Sequence, residues 1–509
     1  MEVNDIVSFD LNNLWIKLVI VIVIALSIFL FMTKPFQTKK VQENTTLLDF
    51  TTYLNERISV LMKDYNIPGV NIALIQKGEI AWVKSYGYAN LEKKRKMTND
   101  TYCRVESISK SVTAWGIMNL VEQERIELDK PVKLYLKNWE FPDSKYSAEN
   151  VTVRQLLSHS AGMPLGTIGQ RYSPKEDLPS LKKVLSQNGV LQQKPGLSFS
   201  YSNTGFNLLE LLIEEVTGRD FAEYMTKEVL TPLGMNHSSF TWNENFNPVV
   251  PHGYDLKGRS IPVYVYPDKA SGGLFATIED IAKFVAAGMP DYSNKNLKVL
   301  NDKSIKKLYK PIMEISGLYS LVYDSYGLGH FIERLPNGNK AVSHGGQGSG
   351  WMTQFYSVPE TGDGIVILTN SQRSWPFFAN ILSDWAQWSG FSSTGMGLIT
   401  RATKVLWVFI GIILILLLWQ VWRLGTGFIS NRRRFAPFAR DYSLLRSVQF
   451  GLFTVLVLSL LWAINQDYLF LTSVFPRMAV WLGYTIVFSA IVLFFSALFP
   501  CVEEDEKEI

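Results

Sequence analysis

The pattern Ser-x-x-Lys occurs three times in this chain, at Ser107/Lys110, Ser180/Lys183 and Ser304/Lys307. The last two sit in lysine-rich polar stretches, Ser180-Leu-Lys-Lys183 and Ser304-Ile-Lys-Lys307, and read as solvated helix faces. The first leads into a strongly apolar run, Ser111-Val-Thr-Ala-Trp-Gly-Ile-Met-Asn-Leu-Val121, that reads as a buried helix. Lysine is among the costliest side chains to bury unpaired, so Lys110 is either a solvated surface residue or has a task. Residues three apart on a helix share a face, which sets the amine beside the hydroxyl. The first turn also presents unpaired backbone N–H groups and the positive end of the helix dipole. A partly desolvated lysine there has a depressed pKa and can take a proton from the serine. That makes a nucleophile without histidine.

Such chemistry needs a second proton-handling group and donors for an oxyanion. Phe199-Ser-Tyr-Ser-Asn-Thr-Gly205 supplies Tyr201 and Asn203 as Tyr-x-Asn ahead of a helix. Ser343-His-Gly-Gly-Gln-Gly-Ser-Gly-Trp351 supplies a glycine-rich strand whose backbone can approach a substrate closely. The nucleophile-elbow pattern Gly-x-Ser-x-Gly is absent, which argues against an α/β-hydrolase. Five histidines (159, 237, 252, 330 and 344) show no zinc-site spacing, so neither metal nor cofactor is expected. His159, in Leu157-Ser-His-Ser-Ala-Gly-Met163, reads as a structural turn residue. Cys103 reads as a small packing residue rather than a reactive thiol.

The elements that must hold these groups are legible in outline. Residues 47–66 read as an amphipathic helix ended by Pro68, followed by two strands flanking Lys77-Gly78-Glu79, a hairpin signal. A second set of strands lies far downstream, in Lys340–Gly346, Trp351–Pro359 and Gly364–Asn370. Helical stretches lie between, such as 204–217 with Gly218 as its cap and 277–288 with Thr277 as its cap. Strands at both ends of one segment predict a single α/β domain whose sheet is completed by both of its termini.

At 509 residues, with 47% hydrophobic and 13% aromatic residues, the chain is apolar for a wholly soluble protein, and the excess is local. Uncharged runs at 18–32, 405–422, 447–464 and 479–499 are near the length that crosses a bilayer as helix. The first reads as an uncleaved anchor rather than a signal peptide. Its leader carries Glu2, Asp5 and Asp10 against Lys17, and no small-x-small cleavage site follows. No cysteine closely follows it, so a lipid anchor there is excluded. Loop 423–446 holds Arg423, Arg432, Arg433, Arg434, Arg440 and Arg446 against Asp441, whereas 465–478 has Arg477 alone. By the positive-inside rule that loop is cytoplasmic and the segment between the first two spans lies outside, although Lys34, Lys39 and Lys40 point the other way. The organisation expected is an anchor and linker at 1–40, an extracytoplasmic domain at 41–395, and a three-helix membrane region at 396–509 with a cytoplasmic end. Cys103 and Cys501 then lie on opposite sides and cannot pair. The net charge of +4 owes much to the membrane loop and gives no case for nucleic acid.

The order Ser107-Ile-Ser-Lys110, Tyr201-Ser-Asn203, His344-Gly-Gly346 resembles the three motifs of the serine β-lactamase and penicillin-binding-protein family. It is most similar to the class C β-lactamase-like branch, with its D-amino-acid peptidases and esterases. Segments such as Val151–Pro164, Lys194–Gly218 and Ala270–Phe284 match as well, and the resemblance covers about 50–390. It implies an α+β domain: an antiparallel sheet flanked by helices, plus a helical subdomain. It implies Ser107 as the acylated nucleophile, Lys110 and Tyr201 as the proton-transfer pair, and Asn203 as a substrate-amide contact. It further implies an oxyanion hole from the backbone N–H groups of Ser107 and Gln347, on a substrate-binding strand of His344, Gly345, Gly346 and Gln347. Many members carry Lys-Thr-Gly where this chain has His344-Gly-Gly, and that lysine binds a free carboxylate. A neutral histidine holds a carboxylate less firmly, which disfavours β-lactamase and D,D-carboxypeptidase activity.

The expected function is a membrane-anchored hydrolase acting through an acyl-enzyme on amide or ester bonds. Its substrates would be peptides containing D-amino acids, related cell-wall compounds or small esters. A slow-turnover sensor or scaffold that is merely acylated is the other class of answer. The three C-terminal spans also resemble prodrug-activating peptidases of the colibactin-maturation type, although Asn203 stands where that group has a serine. A transporter or cell-wall partner is left open.

Overall fold

The computed structural model describes residues 41, 43, 45–166, 170–246, 248–290, 299–436, 443–466 and 470–501. The apolar run at 18–32, the lysines beside it, Arg440 and Asp441 lie outside the described residues.

Helix α1 (Leu47–Tyr65) starts where the Thr46 side chain accepts from the Asp49 N–H, and stops at Asn66, which turns left-handed at φ 53°. Pro68 follows, and the chain enters the hairpin of β1 (Gly69–Gln76) and β2 (Glu79–Asn90). Its two-residue turn places Lys77 and Gly78 at φ 51° and 74°, the twist that matches the flanking strands. After β3 (Arg95–Lys96) the chain leaves the sheet for a helical region. There α2 (Ile108–Glu122) is buried nearly all round, the sign of a central helix. α3 (Asn203–Thr217) is capped by the Ser202 hydroxyl and stopped by Gly218 at φ 71°. α4 (Ile278–Ala287) is capped by Thr277.

The sheet resumes with β4 (Met313–Glu314), β5 (Ser325–Tyr326), β6 (Phe331–Arg334), β7 (Lys340–Gly348), β8 (Trp351–Val358) and β9 (Asp363–Thr369). The nine strands run in the order β3-β2-β1-β9-β8-β7-β6-β5-β4, with every pairing antiparallel. β1 pairs with β9 from Val70↔Thr369 to Ile75↔Gly364, so the two ends of the segment do complete one sheet. β1, β8 and β9 are buried along nearly their whole length instead of alternating, as strands covered on both faces must be. α4 covers β1 and β9, and α5 (Trp375–Trp388) packs on β9 and on α1, where Trp388 stacks on Phe50 at 4.2 Å. One apolar core, including Trp115, Phe206, Trp351 and Phe355, joins the sheet to α2 and α3.

Residues 40–400 form one compact unit, and most of the C-terminal region belongs to another. In that second unit α6 (Gly397–Ile429), α7 (Leu444–Ile464) and α8 (Pro476–Leu498) are long and apolar enough to cross a membrane. They contain nearly all of the three apolar runs read from the sequence. Arg433 donates to the Phe499 carbonyl, and Arg446 donates to the carbonyls of Ala497 and Ala436. Two of the loop arginines therefore satisfy carbonyls where α8 ends, a place that favours cations.

Candidate active site

Lys110 is fully buried one turn into α2. Its Nζ donates to the Ser107 Oγ at 3.0 Å and to the Ser271 carbonyl at 2.7 Å. Burial pushes the amine down to about 7, against the opposing pull of the Asp268 and Glu106 carboxylates. Desolvation rather than the helix end is the dominant cause. The other two pairs are not alike. Ser180 is spent capping a helix through the Lys183 N–H, and Lys307 is exposed although Ser304 is buried.

The Tyr201 phenol faces Ser107, and its ring centroid is 5.0 Å from the Lys110 Nζ. Burial raises the phenol well above its ordinary range, with neighbouring Tyr319 adding to the shift and Ser107 opposing it. It therefore stays protonated at neutral pH. Of two groups beside one hydroxyl, the amine is the one that can accept a proton and the phenol the one that can give it.

Tyr201 is held by His159, which turns left-handed at φ 54° and is 1% exposed. The His159 carbonyl accepts from the Ser200 N–H at 2.7 Å, and its Nδ1 accepts from the Ser202 N–H at 3.1 Å. These two amides flank Tyr201, whose ring centroid lies 4.3 Å from the imidazole. Because Nδ1 accepts, the proton of the neutral ring is on Nε2, which has no hydrogen-bond partner among the described residues. Burial and the nearby Lys110 push this histidine well below its ordinary value. The turn expected at His159 is there, and its side chain also fixes the phenol.

The residue before the serine, Glu106, is left-handed at φ 51°, a costly conformation for a side chain with a Cβ. Its carboxylate accepts from Arg104 Nε at 2.9 Å, Tyr264 at 2.8 Å and Tyr266 at 3.1 Å, which over-determines the bend. The glycine-rich strand packs against that bend. A Cβ on Gly346 would lie 2.2 Å from the Val105 carbonyl oxygen, and one on Gly348 would lie 2.3 Å from the Glu106 carboxyl. On Gly345 its close contact would be with the end of the Gln354 side chain, at 2.6 Å. The glycines thus serve first to bring β7 onto the start of α2. β6 pairs with β7 only as far as Ser343, so from His344 to Gly348 this edge has no strand beside it among the described residues.

A family model described as Beta-lactamase matches residues 54–386. The chain belongs to the β-lactamase family. Protein flp of Staphylococcus aureus (strain MRSA252) is 28% identical over 326 residues, covering 60% of this chain and 60% of that protein. The chain thus matches less than two thirds of that relative's length. The putative penicillin-binding protein PbpX of Bacillus subtilis (strain 168) is 26% identical over 341 residues, covering 66% of this chain and 77% of the relative. Among solved structures, the octameric penicillin-binding protein homologue from Pyrococcus abyssi superimposes with a TM-score of 0.58 at 27% identity. That match covers 71% of this chain and 82% of the other. The antiparallel sheet with flanking helices is the β-lactamase and transpeptidase-like fold, as the three motifs implied.

Within this β-lactamase-family site, His344 departs from the expected substrate contact. Its ring is fully buried, with Nδ1 2.8 Å from the Gly345 carbonyl and Nε2 3.0 Å from the Tyr326 hydroxyl. A carbonyl only accepts, so Nδ1 carries the proton and Nε2 accepts from the tyrosine. Burial pushes its pKa well down, and Lys110 adds to this. Neither nitrogen is left for a substrate carboxylate. Asn203, half-buried, is the first residue of α3, where its N–H donates to the Leu165 carbonyl at 3.0 Å. Gln347 lies on the open edge, with its Oε1 3.3 Å from the Trp375 Nε1.

Several neighbours carried no signal in the sequence. Ser271 lies 161 residues from Lys110, and its carbonyl is presented by a loop whose Lys269 and Ala270 N–H groups bond the buried Glu210 carboxyl at 2.6 and 2.7 Å. Burial raises Glu210 to about 8, opposed by those N–H groups. Tyr326 and Tyr319 were missed as well. Spacing reveals neither, because their partners are remote in the chain.

Proposed function

We propose that this chain is a membrane-anchored serine hydrolase that cleaves amide or ester bonds through an acyl-enzyme on Ser107. The observation that carries this is a fully buried amine, pushed down to about 7, 3.0 Å from a hydroxyl that a protonated phenol also faces. Neutral Lys110 takes the Ser107 proton as Oγ attacks the carbonyl carbon. The tetrahedral oxyanion is met by the N–H groups of Ser107, at the start of α2, and Gln347, on the open edge of β7. Tyr201 gives its proton to the leaving nitrogen or oxygen and is reprotonated from Lys110, and water then releases the acyl group. Asn203 stands beside Tyr201 as a contact for the substrate amide. Buried, neutral His344 removes the usual carboxylate anchor, which favours substrates without a free carboxylate at the bond. Peptides containing D-amino acids and small esters are the classes to test.

Three helices long and apolar enough to cross a membrane support the membrane anchoring, and the excess of arginine in loop 423–446 favours an orientation with that loop on the cytoplasmic side and residues 40–400 outside. Protease added to intact cells lacking an outer barrier should then cut within 40–400, and full protection would reverse the orientation. The names of two relatives as penicillin-binding proteins favour a second reading, in which the acyl-enzyme persists. A fluorophosphonate probe on the full chain in detergent, followed by intact mass, tests both. One adduct at Ser107, absent in Ser107→Ala, is expected. Turnover of an ester or D-peptide supports the hydrolase, and a lasting acyl adduct without product supports the sensor. No adduct on the wild type sinks both.

A further inference from the structure

The phenol at the site is the inner end of a stack of rings that reaches solvent. The Tyr319 ring lies 5.8 Å from that of Tyr201 at an angle of 20°. Phe331 stacks on both, 6.3 Å from Tyr201 and 5.8 Å from Tyr319, and Phe199 meets Tyr319 edge-on at 6.4 Å. Phe199 and Phe331 are buried, whereas Tyr319 is 45% exposed. Leu321, on the same short turn 317–321, is 60% exposed. A ring that is stacked on Tyr201 on one side and 45% exposed on the other is a binding feature before it is a packing one, because water contact costs it free energy that a ligand would recover. Neither His344 nor Lys110 offers a charge at this end, since both His344 nitrogens are already engaged and the Lys110 amine is directed inward to Ser107 and Ser271.

We propose that Tyr319 determines specificity by stacking on an aromatic or branched apolar group that the substrate carries next to its reacting centre, with Leu321 flanking it. This rests on the serine-hydrolase reading of the same site. Aromatic rings stack favourably at such offsets, so a benzyl group gains where a methyl group does not. The substrate class is therefore one with an aromatic or leucine-like residue beside the scissile bond, not an alanine-like one.

Sulfonyl fluorides test this without knowledge of the natural substrate. The Ser107 oxygen bonds to sulfur, fluoride leaves, and the hydroxyl proton passes to Lys110. Second-order rates of Ser107 modification by phenylmethanesulfonyl and methanesulfonyl fluoride are read by intact mass on the full chain in detergent. The ratio of the two rates in wild type should fall about tenfold in Tyr319→Ala, be kept in Tyr319→Phe, and fall less in Leu321→Ser. An unchanged ratio in Tyr319→Ala, including the case where both rates drop together, overturns the proposal and shows a packing role. Failure of these reagents and of the fluorophosphonate to modify wild-type Ser107 would instead refute the hydrolase reading.

Discussion

Of the three serine and lysine pairs that stand three residues apart, two, Ser107/Lys110 and Ser304/Lys307, share that spacing and almost nothing else. At Ser107/Lys110 the amine is enclosed and bonded to the hydroxyl at 3.0 Å. At Ser304/Lys307 the serine faces the core and the lysine faces water. Stacking one turn apart is common to both, so spacing is not what makes a nucleophile. Removal of water from the amine is. That removal needs Asp268 and Glu106 close enough to keep a lysine tolerable, and a carbonyl at Ser271 to hold it.

The largest expected break in this contrast is Lys110→Met, which should slow fluorophosphonate labelling of Ser107 by roughly a thousandfold, the scale of lost general-base catalysis. Lys307→Met should leave labelling as it was, and an equal loss in both would show that burial is not the distinguishing feature. Next in size is Gly346→Ala. Its methyl would strike the Val105 carbonyl and push β7 away from α2, with labelling down by about a hundredfold for a shift on the order of 1 Å. Retained activity would mean that the close approach of strand and helix is dispensable.

Acidity gives a smaller effect with a defined sign. Only the neutral amine accepts a proton, and its value near 7 lies below that of an ordinary lysine, so the labelling rate should rise as pH increases through about 7 and then level. Between pH 6 and 8 the rise is about tenfold by simple titration. A rise centred above pH 9 would show a solvated lysine. Smallest is His159→Ala, which orphans the buried Ser202 N–H and loosens Tyr201, costing about 1–3 kcal/mol. His159→Asn, whose amide oxygen can take the place of Nδ1, should recover part of both the melting temperature and the labelling rate. If it recovers stability but no rate, His159 holds the turn and not the phenol.

Much of the scaffold was legible because its signals are local. Thr277 and Gly218 cap helices for reasons contained within a few residues, and Lys77-Gly78 bends a hairpin by its own φ preferences. Apolar strands at both ends of one segment foretold the β1–β9 pairing. The motif order named Lys110 and Tyr201, which the fold brings beside Ser107. Its antiparallel sheet came from resemblance rather than from periodicity, since β1, β8 and β9 are buried on both faces and hide their alternation. His344 shows the limit more sharply. The motif placed it against the substrate, but Tyr326, from another strand, occupies its outer nitrogen.

By itself the amino-acid order determined which side chains were capable of the chemistry, where the helices and turns begin and end, and which stretches are apolar enough for a membrane. These depend on residue type and on neighbours a turn or two away. Only the folded chain decided that Glu106 is bent against its preference, that a carbonyl 161 residues off receives Lys110, and that His159 clasps the two amides around Tyr201. Reactivity here comes from exclusion of water by distant segments, and no local pattern encodes how completely those segments close.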